Sequence, residues 1–369
     1  MTKWQKVKLG DYLSKVKTGK LDANASCENG AYPFFTCAID PLKIDTYSYD
    51  CECVLVAGNG DLNVKYYQGK FDAYQRTYIL ESKDKRQLNV KFLYYFMRHY
   101  LDNLRLQAFG GIIKYIRLNN IIDAQISLLP KEEQERIAKE LDAVSDLLAK
   151  QKQLLTEQDT LIKSVFYDMF GDPVTNDKGW FQGKIKDIVA DIQYGTSEKA
   201  GETGTFPILR MNNISYTGEM NYSDLKYINM PSDNKYMLQK GDILFNRTNS
   251  KELVGKTGLF DIDKPMVYAG YLIRLRTKDT CLPIFLKTYM NLPQLKIYLR
   301  EKCKNIVGMA NINAKELQAI SMYLPPLPLQ QKFADIVEQI EIQKQKIKSA
   351  ITETETLFNA LMAKYFDED

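Results

Sequence analysis

One histidine, six cysteines and one imitation of a phosphate loop are the groups in this 369-residue chain that invite a catalytic reading. His99 lies inside the apolar-periodic run from Phe92 to Leu106, where helix packing is its expected role, so a histidine-based mechanism has almost nothing to use. Cys27, Cys37, Cys51 and Cys53 lack the paired Cys-x-x-Cys spacing that lets thiolates converge on zinc, so no metal site is expected. Gly255-Lys256-Thr257 imitates the end of a phosphate loop, but Ser250 stands where the first glycine is needed. The Asn/Asp-Pro-Pro-Tyr/Phe string of amino-methyltransferases is missing, as is a G-x-G-x-x-G cofactor loop. By itself the chain is expected to catalyse nothing and to bind no cofactor.

It offers instead polar and basic side chains on glycine-punctuated loops, among 24 tyrosines. In the first third, Ala57-Gly58-Asn59-Gly60-Asp61 precedes Lys65-Tyr66-Tyr67-Gln68-Gly69-Lys70 and Tyr74-Gln75-Arg76, with Lys114 further on. Later, Arg210-Met211-Asn212-Asn213 precedes a strand-like Asp242-Ile243-Leu244-Phe245 that runs into Asn246-Arg247-Thr248-Asn249-Ser250-Lys251. Arg and Lys can pair with guanine edges, Asn and Gln with adenine edges, and Ser, Thr and backbone amides with phosphates. The candidate nucleic-acid contacts are therefore Asn59, Lys65, Gln75, Arg76 and Lys114 in the first group. The second group comprises Arg210, Asn212, Asn246, Arg247, Asn249 and Ser250, with Lys256 as a phosphate partner.

The elements that position these loops show in an internal repeat. Ile126 to Asp172 matches Met322 to Glu368 at a constant offset of 196 residues, pairing Pro130 with Pro326, Gln134 with Gln330, Ala138 with Ala334 and Phe170 with Phe366. Apolar positions there step by four and three, a heptad seam that keeps one stripe toward a partner helix. Ile137, Leu141, Leu148, Leu155 and Ile162 are the pairing positions of the first rod, and Val337, Ile340, Ile347, Ile351 and Phe358 those of the second. Roughly 40 residues at 1.5 Å each make a rod of about 60 Å, far beyond an ordinary globular helix.

Each rod follows a mixed segment, the two opening on similar strings at Trp4 and Trp180. The expected fold class is α+β: globules at 1–129 and 173–325, long helices at 130–172 and 326–369. Because the second globule must return the chain near the first rod's end, the rods are expected to pair antiparallel as a pseudo-twofold dumbbell, with Gln158 opposite Lys344. The second globule is about 20 residues longer before its rod, since the tryptophans match at 176 and the rods at 196, so the two globules are not identical copies.

Charge divides along the same lines. Residues 131–171 carry six basic and nine acidic side chains and residues 329–369 five and eight, so each rod is −3 and the remainder of a +4 chain is +10. Basic globules on acidic rods suit a reader of a polyanion at two points. No apolar run approaches the roughly 18 residues of a membrane span and no signal-type segment opens the sequence, so a cytoplasmic protein without membrane contact is expected. Six cysteines at this length fit reduced thiols.

In order, duplication and motif, the whole chain resembles the specificity subunits of Type I restriction-modification systems. The motifs are Leu129-Pro130-Lys131-Glu132-Glu133-Gln134-Glu135-Arg136-Ile137 and Leu324-Pro325-Pro326-Leu327-Pro328-Leu329-Gln330-Gln331-Lys332-Phe333 at the rod starts, and Gly241 through Lys256 in the second globule. The resemblance implies two target-recognition domains, each reading half of a split, asymmetric double-stranded DNA target, on antiparallel coiled-coil helices. It implies two methyltransferase subunits that dock along the rods and methylate adenine at N6 with S-adenosylmethionine. Restriction and translocase subunits using ATP and Mg²⁺ would join in the full complex. Other readings are a coiled-coil scaffold whose globules bind proteins, which predicts no salt-dependent DNA affinity, an enzyme with an unrecognised site, and a silent or alternate specificity cassette.

Overall fold

The computed structural model describes residues 6–306 and 309–367, with only the backbone at 304–306; the string around Trp4 begins outside these residues. The chain forms two compact units, Met1–Lys152 with Ser349–Asp369, and Gln153–Lys348. Each unit therefore holds one globule and half of each long helix, and those helices are Lys131–Phe170 and Leu327–Phe366, 40 residues each.

In the first unit a six-stranded mixed sheet is centred on Tyr49–Ala57, which pairs antiparallel with Val64–Ala73 and with Thr77–Leu80. Tyr32–Phe35 lies parallel to Val64–Ala73, with Phe34 opposite Asp72. One sheet face buries Val54, Val56 and Leu80 against Val90–His99, whose Phe92, Leu93 and Phe96 face inward. Asn89 caps that helix by accepting from the Phe92 N–H at 3.0 Å. The same core takes in Ile137, Leu141 and Val144 of one long helix and Phe358, Leu361 and Met362 of the other. His99 ends its helix against Phe366 and pairs with Asp367 at 2.9 Å, the packing role its surroundings suggested.

The second unit repeats the plan with different strands. A four-stranded sheet runs in the order Val189–Tyr194, Leu272–Thr277, Ile243–Asn246, Thr257–Leu259, beside a three-stranded one of Lys226–Ile228, Phe206–Leu209 and Val267–Tyr268. Its core joins Phe285, Tyr289 and Leu295 to Phe166 and Phe170 from the first long helix and to Phe333 and Val337 from the second. Phe333 meets Phe166 edge-on at 5.5 Å and Phe170 at 5.3 Å, contacts worth about 0.5–1.5 kcal/mol each beyond their burial.

Within each unit the helices run antiparallel. In the first, Tyr365 donates to Glu140 at 2.6 Å and Lys152 pairs with Glu355 at 2.8 Å. In the second, Lys344 binds Asp159 at 2.7 Å, one residue from the Gln158 expected opposite it. Ile137, Leu141, Ile162, Val337, Ile340 and Phe358 are buried as the heptad reading requires, whereas Leu148, Leu155, Ile347 and Ile351 are only half-buried. These four lie farthest along the helices from their own globules, with less around them to exclude water.

The repeat's glutamines explain how the rods are set on the globules. Gln134 accepts from the Asn89 N–H and donates to the carbonyls of Gln87 and Leu129, each at 2.8 Å. Gln330 accepts from the Leu282 N–H at 2.8 Å and donates to Thr280 and Pro325. Both side chains are fully buried, and each satisfies three backbone groups that would otherwise be stranded. No described helix is long and apolar enough to cross a membrane.

Candidate nucleic-acid interface

In the first unit the loop after Tyr49–Ala57 is held between two others. The Gly58 N–H donates to Arg76 O at 2.8 Å, the Ile116 N–H to Gly58 O at 2.9 Å and the Gly60 N–H to Lys114 O at 2.9 Å. A Cβ on Gly58 would stand 2.4 Å from Arg76 O, so only glycine lets these strands of chain approach. Asn59, Gln75, Arg76 and Lys114 are thereby brought to one edge. Gln75, Arg76 and Lys114 are exposed and, among the described residues, have no side-chain hydrogen-bond or ion-pair partner. Lys65 is different: burial lowers its pKa, and its ammonium is committed to Thr36 O at 3.5 Å and to Asn63. It pins the neighbouring loop.

The second unit builds the same frame. The Arg247 N–H donates to Tyr271 O at 3.0 Å, and the Ile312 N–H to Arg247 O at 2.9 Å, as Ile116 does to Gly58. Thr248–Asn249 pairs with Met309–Asn311. The Arg247 guanidinium lies 4.9 Å over the Tyr194 ring and donates to Asn311 Oδ1 at 3.1 Å, while Asn311 Nδ2 donates to Thr248 Oγ1 at 2.8 Å. This half-exposed array has a planar donor, an amide and aromatic faces, the groups suited to base edges. Asn249 ends that short strand, and the N–H of Ser250, just past it, donates to Asn249 Oδ1 at 2.9 Å. Arg210 and Asn212 sit on a separate loop, both held at 3.1 Å by Asp224.

Two sequence expectations are corrected. Lys256 is buried, so it is not a surface phosphate contact; its ammonium donates to Met211 O and Ile214 O at 2.6 Å each, and desolvation lowers its pKa. Its work is to hold the loop that carries Arg210 and Asn212. Asn246 is fully buried because the strand extends through it, with Asn246 opposite Leu272. The structure adds to these edges Tyr194, Tyr271 and Asn311, and Arg117, whose guanidinium lies 5.0 Å over the Phe109 ring, none of which the sequence singles out. The first three have no basic pattern around them and join the site only through long-range strand pairing. Arg117, three residues past Lys114, joins the edge only through its stacking on Phe109.

Among the described residues, no group of three or more His, Cys, Asp or Glu side chains is placed to hold a metal ion.

The sequence family described as Type I restriction modification DNA specificity domain matches residues 1–157 and 177–354, most of the chain. The chain belongs to this family. A further likeness is to the Type I restriction enzyme EcoDI specificity subunit of Escherichia coli, 25% identical over 401 residues that span 98% of this chain and 88% of that protein. The EcoKI specificity subunit of Escherichia coli strain K12 is 26% identical over 68% of this chain and 59% of its own length. A solved S subunit from M. genitalium superposes with a TM-score of 0.62 at 18% identity, covering 99% of this chain and 96% of that one, a likeness of fold. As a Type I specificity subunit the chain is a DNA target-recognition protein.

Proposed function

We propose that each recognition domain reads one half of a split, asymmetric duplex target, and that this chain directs partner subunits that methylate adenine at N6 and restrict unmodified DNA. The observation that carries this reading is one backbone frame with two sets of side chains. Asn59, Arg76, Lys114 and Tyr115 stand around Gly58, whereas Thr248, Tyr271, Ala310 and Asn311 hold the corresponding places around Arg247 in the second unit. A shared frame supports a common task, and divergent donors and acceptors support different base sequences.

The chemistry is assigned to the partners. Two methyltransferase subunits would use S-adenosylmethionine, and restriction and translocase subunits would use ATP with Mg²⁺. Adenine N6 is reached only after the base leaves the stack, so the reading domains must hold a duplex that is being distorted.

Methylation profiling of genomes with and without this chain is the test. The expected result is a bipartite, asymmetric motif whose adenine methylation disappears on deletion. A palindromic or uninterrupted motif, or no change, contradicts the proposal.

A further inference from the structure

We infer that the hairpin from Phe109 to Tyr115 is an apolar wedge that enters the base stack beside the first half-site, an inference that rests on the DNA-reading function above. The hairpin is closed by reciprocal backbone bonds between Phe109 and Tyr115 at 2.9 and 2.8 Å. It turns on Gly110, at φ 105°, where a Cβ would stand 2.6 Å from Ile113 O. At its tip Ile112 is 104% exposed and Ile113 64%. Isolated apolar side chains on a surface are ordinary, but two adjacent isoleucines raised on a glycine turn make a projecting apolar tip that gains free energy when a partner covers it.

The surroundings identify the cover as DNA. Lys114 follows the isoleucines directly, and the Arg117 guanidinium lies 5.0 Å over Phe109 at the hairpin's base. Through Gly60 and Gly58 the hairpin is bonded to the loop that carries Asn59 and, beyond it, to Arg76. Asp61, the nearby acid, faces Arg105 at 3.8 Å. An apolar tip between cations matches a polyanion with an apolar interior, that is, stacked bases between phosphate chains. At an apolar groove on a protein the same cations would sit on the solvated rim and contribute little, whereas beside a base stack they meet phosphates.

The second unit supplies an independent observation. There Met309–Asn311 pairs antiparallel with Lys304–Ile306, and Ile312 anchors to Arg247 as Ile116 anchors to Gly58. Met309, 196 residues after Ile113, is 38% exposed at the corresponding place. Isoleucine and methionine are both side chains that architectural proteins insert between base steps, unstacking them. Opening a step next to the target adenine lowers the cost of extruding that base for a partner enzyme.

The test uses the full chain with duplexes that carry its methylated motif and 2-aminopurine at successive positions of the half-site read by the first unit. Wild type should give a fluorescence rise confined to one step. The Ile112→Ser/Ile113→Ser variant should lose that rise while keeping low-salt binding and its salt slope, because phosphate contacts are untouched. An Ile112→Met/Ile113→Met variant should retain the rise. An undiminished rise in the serine variant overturns the wedge. So does a serine variant that keeps the rise but loses capture of the methyltransferase subunit, which would make the tip a protein-docking surface. Tight wild-type binding with no rise anywhere sinks the wedge alone, whereas a wild-type chain that does not bind the duplex sinks the DNA-reading function with it.

Discussion

In both units an isoleucine N–H, from Ile116 or Ile312, donates to the loop that leaves a central strand, yet the acceptor belongs to Gly58 in one unit and to Arg247 in the other. The glycine admits Arg76 O at a distance no side chain allows, and the neighbouring cations reach outward. The arginine turns its guanidinium onto Tyr194 and Asn311. Duplication has preserved the backbone of the frame and released the side chains mounted on it. The rod junctions show the same contrast. Asp142 ties the first rod to its globule through Lys91 and Tyr95, whereas Lys344 in the second gathers Asp159, Glu219 and Glu341.

Paired positions should therefore respond alike when they build the frame and differently when they read. The largest effect is expected at the buried aromatic cluster: Phe333→Ala should cost about 3–5 kcal/mol, against about 1–2 kcal/mol for the half-buried Leu155→Ala or Ile351→Ala, as read by chemical denaturation. Equal costs would mean that the seam, and not the globule cores, holds the rods in place. Next come Gln134→Leu and Gln330→Leu, each stranding three backbone groups, with a loss of about 3 kcal/mol apiece. A large loss at one and none at the other would break the equivalence of the two rod starts.

Reading positions should separate. Arg247→Ala should relax one base position at a cost of about 1–3 kcal/mol in binding if the guanidinium reaches a base edge. Lys256→Met should lower stability without relaxing any position, because its ammonium serves two carbonyls inside the domain. Binding to a library of half-site variants distinguishes the two outcomes, and a changed base preference in the Lys256 variant would contradict its structural assignment.

A smaller effect follows from pH. Burial alone would raise the Glu219 pKa, but bonds from Lys348 and Lys344 outweigh it and bring the carboxyl from 4.5 to about 2. A depressed carboxyl stabilises the fold above its unfolded pKa, so this contribution is present above about pH 4.5 and is lost as pH falls toward about 2. Glu219→Gln should be less stable than wild type at neutral pH and converge with it in acid. A stability difference that stays constant across that range would show that Glu219 acts through packing.

The rods were legible because a heptad stripe is local in sequence, and Pro130 and Gln134 recur at Pro326 and Gln330. The reading frame was legible only in part. Gln75, Arg76 and Lys114 stand out as polar groups near glycines, and they do reach one edge. Lys256 stands out for the same reason, yet lies inside, because the carbonyls it serves come from Met211 and Ile214, more than 40 residues away. Asn246 reads as a loop residue in the sequence because nothing local marks where a buried strand ends. The equivalence of the strand pairings that carry Ile113 and Met309 is hidden in the sequence because what they share is backbone hydrogen bonding.

The central claim, that two units read different half-sites on a common frame, is tested most directly by exchanging residues 1–129 for the corresponding segment of a relative and profiling genomic adenine methylation. Groups that share no partners should act additively, so one half of the motif should change and the other should survive intact. Both halves rewritten together, or neither changed, would contradict it.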